Sequence, residues 1–166
     1  EAKVGALTRM AYTYGKYLDE GDIAASYLKQ CEETAAGVAR PAGRVDSLLD
    51  VAYTYYGLAS TDKMEALLAR SLVEARAIDD PRKQADSLAH TGAMMCKMKK
   101  VDEAKEIFKE SQEKAAAIGD PLSESYALVY MGEQLTEAGM QGAAQKILVQ
   151  AEEVADQVKD PSMHGP

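Results

Sequence analysis

Few side chains in this chain of 166 residues could carry out chemistry, and their spacing does not favour catalysis. Ser87 and His90 lie three residues apart on what reads as one turn of a helix, an arrangement from which we do not expect a hydrolytic triad. The sequence has no glycine-rich phosphate loop, no nucleophile-elbow pattern and no His-Glu metal motif. We therefore expect that the protein is not an enzyme.

The two cysteines and two histidines do not predict a metal site. His90, Cys31 and Cys96 lack the short spacing that zinc signatures have, so we expect no metal and no cofactor. We expect the two cysteines to be reduced, small apolar residues, in preference to a disulfide. Reduced cysteines favour a cytoplasmic location. No apolar run approaches the roughly 18 residues of a membrane span, so we expect no membrane association.

The aspartates are better explained by helix ends than by catalysis. Asp80-Pro81 and Asp120-Pro121 each fit a helix N-cap followed by proline in the first turn. Three further aspartates stand where a second helix of each pair is expected to begin, where they can cap it or complement its dipole: Asp22, Asp62 and Asp102. Asp62 and Glu65 also have the spacing of a capping box.

The net charge of −8 argues against nucleic-acid binding, which needs a basic surface. The basic cluster of Lys97, Lys99 and Lys100 stands at the expected end of a helix, where lysines complement the helix dipole. We therefore expect no nucleic-acid partner.

Four of the five prolines mark a repeat, because Pro41, Pro81, Pro121 and Pro161 recur every forty residues. Between them, apolar residues step by three and four in two stretches, which predicts two amphipathic helices, A and B, per repeat. We predict repeats at 1–40, 41–80, 81–120 and 121–160, forming a single array over 1–160. Residues 161–166 are then a tail or the truncated start of a further repeat.

Small residues recur at one position on each helix. They are Ala11, Ala52, Gly92 and Gly132 on helix A, and Cys31, Ser71, Ser111 and Ala151 on helix B. Because glycine inside a helix costs roughly 1 kcal/mol relative to alanine, we expect a second helix backbone to pass close to these positions. The first repeat has one more residue in its inter-helix turn, which we expect Gly21 to ease by adopting a positive φ.

The order of large, small and aromatic residues resembles the tetratricopeptide repeat. The residues are Leu48, Ala52, Tyr55, Met64, Leu68 and Ser71 in the second repeat, and Leu88, Gly92, Met95, Ala104, Phe108 and Ser111 in the third. The unit here is forty residues rather than the usual length of about 34, with the surplus at the end of helix B. The resemblance covers Ala2 to Asp160. It implies an all-α, right-handed superhelical solenoid of four antiparallel helix hairpins.

In that family the A helices line a concave groove that binds ligands, so the resemblance implies a non-catalytic scaffold that binds a peptide or a partner helix. The implied groove residues are Arg9, Tyr12, Lys16, Asp46, Leu49, Asp50, Tyr53, Tyr56, Asp86, His90, Lys97, Tyr126, Val129, Tyr130 and Glu133. Tyrosine is common in binding hot spots, although several of these rings could instead fill the space between repeats.

The charge of this groove bears on its partner. The acidic surplus favours a protein or peptide with basic and apolar side chains. Members of the family that bind chaperone C-terminal tails hold the terminal carboxylate with a basic clamp. At the matching places this chain has Asp50 and Asp86, which would repel such a ligand, so we do not expect a chaperone tail.

An alternative function is self-association. Ile147, Val154 and Val158 lie on helix B of the fourth repeat, on a side where we expect the next hairpin of an array. The ends of such arrays need a polar face to stay soluble alone. The alternative prediction is therefore a structural oligomerisation module, a homodimer for example, that pairs through this end.

Overall fold

The protein, described here over residues 2–158 from a computed structural model, is all-α within that range. Its helices are α1 (Ala2–Lys16), α2 (Gly21–Ala36), α3 (Pro41–Gly57), α4 (Thr61–Arg76), α5 (Pro81–Lys97), α6 (Val101–Ala116), α7 (Pro121–Glu137) and α8 (Gln141–Ala155). Odd-numbered helices are the predicted A helices and even-numbered helices the B helices. The prediction of an all-α fold built from helix hairpins is confirmed. The predicted tail at 161–166 lies outside the described residues.

The hairpins belong to two compact units, of which the first ends at Ile78 and the second begins at Asp79. The first unit contains the hairpins α1–α2 and α3–α4, and the second contains α5–α6 and α7–α8. In the first unit α3 packs against both α1 and α2, and in the second α7 packs against both α5 and α6. Helix A of the later hairpin therefore joins the two hairpins of each unit.

The aspartate-proline pairs begin helices, as predicted. The Asp80 carboxylate accepts a hydrogen bond from the backbone N–H of Lys83 at 3.1 Å. Asp120 accepts the equivalent bond from Ser123 at 2.9 Å. In each case proline occupies the first turn, where its missing N–H costs nothing. Helix α3 also begins with a proline, Pro41, but it follows Arg40 and has no side-chain cap.

Of the two roles expected for the aspartates of the B helices, capping is wrong and only the interaction with the helix dipole is left. The residues before α2, α4 and α6 are Glu20, Ser60 and Lys100, and none makes a side-chain cap. The three aspartates, Asp22, Asp62 and Asp102, stand two residues further along, inside the first turn. From there they can complement the helix dipole but cannot reach back as caps, so the capping-box reading also fails.

The turn between the two helices of each hairpin holds one residue in the left-handed conformation, at intervals of forty. These residues are Asp19 (φ 55°), Ala59 (φ 59°), Lys99 (φ 66°) and Gly139 (φ 78°). After α3 the N–H of Ser60 bonds to the carbonyl of Tyr55, whereas after α1 the N–H of Glu20 reaches back one residue further, to Tyr14. The extra residue in the first turn is confirmed. Gly21 does not supply the positive φ, because it is already the first residue of α2.

The repeated glycines accommodate a side chain rather than a second backbone, so that expectation is corrected. A Cβ atom on Gly92 would lie 3.1 Å from the ring of Phe108. A Cβ atom on Gly132 would lie 2.7 Å from Leu148. Phe108 and Leu148 are the large residues of helix B in the same two hairpins. The small residue on helix A therefore sets how closely its own partner helix can pack.

Candidate functional site

A surface cavity lies between α1 and α3 in the first unit, with a volume of about 640 Å³. Five of its lining residues were predicted from the sequence: Arg9, Tyr12, Asp50, Tyr53 and Tyr56. The remaining lining residues are small or hydroxyl-bearing: Gly5, Thr8, Thr13, Thr54 and Gly57. We call this site the tyrosine cavity. It brings together, from two different helices, part of the groove that the sequence predicts.

Helical spacing explains why these residues meet. Arg9 and Tyr12 are three residues apart on α1, and Asp50, Tyr53 and Tyr56 step by three on α3, so each set shares one face of its helix. The rings of Tyr53 and Tyr56 stack with their centroids 6.1 Å apart. Such stacking holds aromatic rings in a defined orientation, which provides a firm apolar wall for a ligand.

Gly57 lets the ring of Tyr12 approach α3. A Cβ atom at position 57 would lie only 2.6 Å from Cε2 of Tyr12. Since Cβ atoms do not come that close to ring carbons, any other residue would displace the tyrosine. Gly57 was not among the residues predicted for the groove. Its place at the end of α3, five residues after the small packing residue Ala52, carries no signal that could be separated from an ordinary helix end.

The threonines of the cavity leave few hydroxyls for a ligand. Thr8 Oγ1 donates to the carbonyl oxygen of Gly5 at 3.1 Å, and Thr54 Oγ1 donates to that of Asp50 at 2.8 Å. The polar groups that can face a ligand are therefore the guanidinium of Arg9, the carboxylate of Asp50, the hydroxyl of Thr13 and the tyrosine hydroxyls. One cation and one anion stand on an otherwise aromatic surface.

Three predicted groove residues of the first unit do not line the tyrosine cavity. Leu49 is fully buried, so the expectation that it contacts a ligand is corrected: it is a packing residue. Helical rotation by one residue from Asp50 turns Leu49 into the core. Lys16 is exposed near the end of α1, and Asp46 is half-buried one turn before Asp50.

The predicted groove residues of the second unit lie on α5 and α7. They are Asp86, His90 and Lys97 on α5, and Tyr126, Val129, Tyr130 and Glu133 on α7. Tyr126 and Lys97 each contact a side chain of the neighbouring helix. The guanidinium of Arg82 lies 5.5 Å above the ring of Tyr126, and Lys97 Nζ lies 3.5 Å from the carboxylate of Glu137. Packing between α5 and α7 therefore explains the presence of some of the predicted groove residues.

Asp86 is the one predicted residue whose pKa is strongly displaced. Its Oδ1 atom is buried and has no hydrogen-bond partner among the described residues. Burial raises the pKa of this carboxyl group to about 6, against a smaller lowering by the charge of Arg82. Burial of this oxygen favours the neutral form of the carboxyl group, because desolvation penalises the charge.

The predicted self-association residues need a correction. Ile147 and Val154 are both 8% exposed, so they cannot form a contact surface in this conformation. Val158 is exposed, and so are Leu148 and Val149. The apolar surface at this end of the second unit therefore involves the residues next to those predicted.

Metal sites, reactive cysteines and membrane-spanning helices are not found within residues 2–158. No group of three or more His, Cys, Asp or Glu side chains there is placed to hold a metal ion. Both cysteines in this range are buried and free. None of the helices there is both long enough and apolar enough to cross a bilayer.

Comparison with known proteins supports the fold. No family model matches the sequence, and no curated protein matches it. The crystal structure of Ton1535 from Thermococcus onnurineus NA1 is similar, with a TM-score of 0.77 and 17% sequence identity. The similarity covers 96% of this chain and 46% of that one, so this chain spans less than half the length of that protein. At this identity the likeness concerns the fold alone.

Proposed function

We propose that the protein is a non-catalytic scaffold that binds a peptide or a partner helix in the tyrosine cavity. The observation that carries this proposal is that five predicted groove residues, from α1 and α3, line one cavity. Tyrosine supplies a large contact area and a hydroxyl while losing little conformational entropy on binding. The similarity of the repeat to the tetratricopeptide family belongs to the same proposal, as does a cytoplasmic location, which two free cysteines favour.

The partner that suits this cavity carries an apolar or basic side chain. A Lys or Arg side chain over the tyrosine rings gains cation–π attraction, and the carboxylate of Asp50 favours the same charge. Arg9 can contact a backbone carbonyl of the peptide, since a guanidinium offers several N–H donors. A chaperone C-terminal tail is not the partner proposed, because Asp50 opposes a terminal carboxylate.

The test is selection of a phage-displayed library of random dodecapeptides on the wild-type protein, followed by calorimetry with the recovered peptide. We expect Tyr53→Ala to weaken binding about thirtyfold, because truncating a hot-spot tyrosine costs about 2 kcal/mol. Tyr53 is 46% exposed, so the fold should tolerate the change, which circular dichroism would check.

Tyr126→Ala is the matched control, because Tyr126 is also an exposed tyrosine on an A helix but lies outside this cavity. We expect it to leave the affinity unchanged. A library that yields no binder, or an equal loss of affinity in Tyr126→Ala, would contradict the proposed site.

A second candidate function, self-association, is favoured by one observation at α8. Leu28 on α2 is 6% exposed, and Phe108 on α6 is 5% exposed. Each of these helices is packed against the next A helix of its own unit, α3 and α7 respectively. Leu148, at the same repeat position on α8, is 42% exposed. An apolar side chain uncovered at a position buried elsewhere favours a docking surface.

Light scattering over a concentration series tests this second function. If Leu148 and Val149 pair with another copy, the mass should rise above the monomer value of 17.9 kDa as concentration increases. The double variant Leu148→Glu, Val149→Glu should then remain monomeric. Val73→Glu, which changes an exposed valine on α4, should behave as the wild type. A constant monomer mass for the wild type would exclude the candidate.

A further inference from the structure

A second surface groove lies between α6 and α8 in the second unit, with a volume of about 310 Å³. Its floor is apolar and consists of Phe108, Met131, Leu135, Met140 and Ile147. Its rim carries three lysines, Lys105, Lys109 and Lys146, and is completed by Gln112, Ala143 and Gln150. We call this site the lysine groove. It lies on the B-helix side, whereas the tyrosine cavity lies between A helices.

The rim is basic although the whole chain has a net charge of −8. Lys105 Nζ lies 2.8 Å from the carboxylate of Asp102, so its charge is partly compensated. Lys109 and Lys146 have no acidic partner within ion-pair distance among residues 2–158. Two uncompensated ammonium groups therefore flank an apolar floor, one on each helix.

The first unit shows how the same fold closes this space. At the position of Leu135 it has Tyr55, whose hydroxyl donates a hydrogen bond to Glu32. Lys63 lies 3.8 Å from the same carboxylate and stands at the position of Ala143. In the first unit this space is thus occupied by Tyr55, Glu32 and Lys63. In the second unit Leu135, Gln112 and Ala143 stand at the same positions and leave it open.

The rim changes together with the floor. Counting back eighty residues, Lys105 and Lys146 correspond to Ala25 and Ala66 in the first unit, while Lys109 corresponds to another lysine, Lys29. The second unit thus has an opened floor and a rim of three lysines without a carboxylate, whereas the matching positions of the first unit hold Lys29, Lys63, Arg70 and the carboxylate of Glu32. The opening of the floor and the change in rim charge occur at the same place. This coincidence favours a ligand site over loose packing as the explanation of the groove.

The dimensions indicate the size of the occupant. From Lys105 to Gln112 the rim follows two turns of α6, about 10 Å. The volume is at the lower end of the range of about 300–1,000 Å³ for ligand pockets. Gln112 Nε2 donates to Gln150 Oε1 at 2.7 Å, which links the two rims at one end. A short amphipathic segment that inserts one or two side chains meets these limits.

We propose that the lysine groove binds an acidic amphipathic segment of a partner protein. One bulky apolar side chain of that segment lies on the floor formed by Phe108 and Leu135. Its carboxylates lie beside Lys109 and Lys146, where charge complementarity selects an acidic partner. This is the helix-in-groove mode of peptide recognition, with a charge preference opposite to that of the tyrosine cavity.

The probe is a fluorescein-labelled synthetic peptide that contains two copies of Glu-Glu-Leu-Phe-Glu-Glu-Leu. Its binding is measured by fluorescence anisotropy at low salt. We expect saturable binding to the wild type. Reversing two charges, Lys109→Glu with Lys146→Glu, should weaken it at least about tenfold. The control is Lys29→Glu with Arg70→Glu, an equal charge change on α2 and α4, which should leave binding unchanged.

A second variant tests the groove by filling it. Leu135→Tyr, Gln112→Glu and Ala143→Lys together transfer the arrangement of Tyr55, Glu32 and Lys63 into the second unit. Since the chain already folds around that arrangement, we expect the variant to fold and to lose the peptide, with its helical content checked by circular dichroism.

Three results would overturn the proposal. They are no saturation with peptide up to about 1 mM, an equal loss of binding in the Lys29→Glu, Arg70→Glu control, and full binding by the filled variant. Decanoate is tested alongside the peptide. Binding of decanoate without binding of the peptide would assign the groove to a small carboxylate, and would also overturn a protein partner.

Discussion

The two units share one arrangement of hairpins but leave opposite sides open. In the first unit the space between the A helices is open and lined by tyrosines, while the space between the B helices is occupied by Tyr55. In the second unit the space between the B helices is open over Leu135. The repeat therefore determines the packing of the helices, and a few side chains determine which surface can receive a ligand.

The A-helix side differs through equally few residues. Counting from the small packing residue of each helix, Tyr12 corresponds to Ala93, Tyr53 to Glu133 and Tyr56 to Thr136. The second unit thus has no aromatic side chain at the three positions that form the tyrosine cavity. A binding surface that extends evenly along all A helices, as the sequence predicts, is not what these residues favour.

The largest effect should come from the side chain that closes the first unit. Tyr55→Phe removes a hydrogen bond to the carboxylate of Glu32 and should lower the free energy of unfolding by about 1.5 kcal/mol. Urea denaturation measures this loss. Tyr27→Phe, which changes a tyrosine stacked on Tyr14 in the same unit, should cost less than about 0.5 kcal/mol.

The same variant should change the pH dependence of stability. Burial, and then the hydrogen bond to Glu32, raises the pKa of Tyr55. Because the folded-state pKa lies above the value of about 10 in the unfolded chain, the stabilisation is present below pH 10 and is lost as pH rises further. Between about pH 9 and 11 the wild type should lose more stability than Tyr55→Phe. If the stability of the wild type and of Tyr55→Phe fell in parallel with pH, Tyr55 would not be the side chain that closes the space between the B helices.

The sequence predicts the hairpins well because a forty-residue period repeats every helix start and packing stripe. Five residues of the tyrosine cavity are among those that the resemblance to the tetratricopeptide repeat implies, and helical spacing explains why each helix presents its share on one face. The sequence does not reveal the lysine groove. That site arises where Leu135 is shorter than Tyr55 and where Lys146 replaces Ala66, and such a difference gains meaning only once both helices are placed.

Local backbone geometry was also hard to predict. Glycine was expected to supply the positive φ of the first turn, at Gly21, but Asp19 does so. Non-glycine residues hold this conformation in three of the four turns because the surrounding hydrogen bonds enforce it. Residue type alone therefore gives a poor indication of where a helix turn reverses.

The smallest effect should come from the turns after α3 and α7, whose left-handed residues, Ala59 and Gly139, differ by one methyl group. The N–H of Ser60 bonds to the carbonyl of Tyr55 at 2.9 Å, and that of Met140 bonds to Leu135 at 2.8 Å, so the two turns have the same geometry. Ala59 holds a positive φ that favours glycine, and Gly139 holds the same conformation without strain.

Ala59→Gly should therefore raise the free energy of unfolding by about 0.5 kcal/mol, since relief of strain exceeds the entropy that glycine loses on folding. Gly139→Ala should lower it by about 1 kcal/mol. Urea denaturation measures the change in the free energy of unfolding for both variants. Shifts of the same sign would mean that the two turns are not equivalent. Opposite signs would show that the units differ in the side chains that fill and line their surfaces and not in the hairpin that carries them.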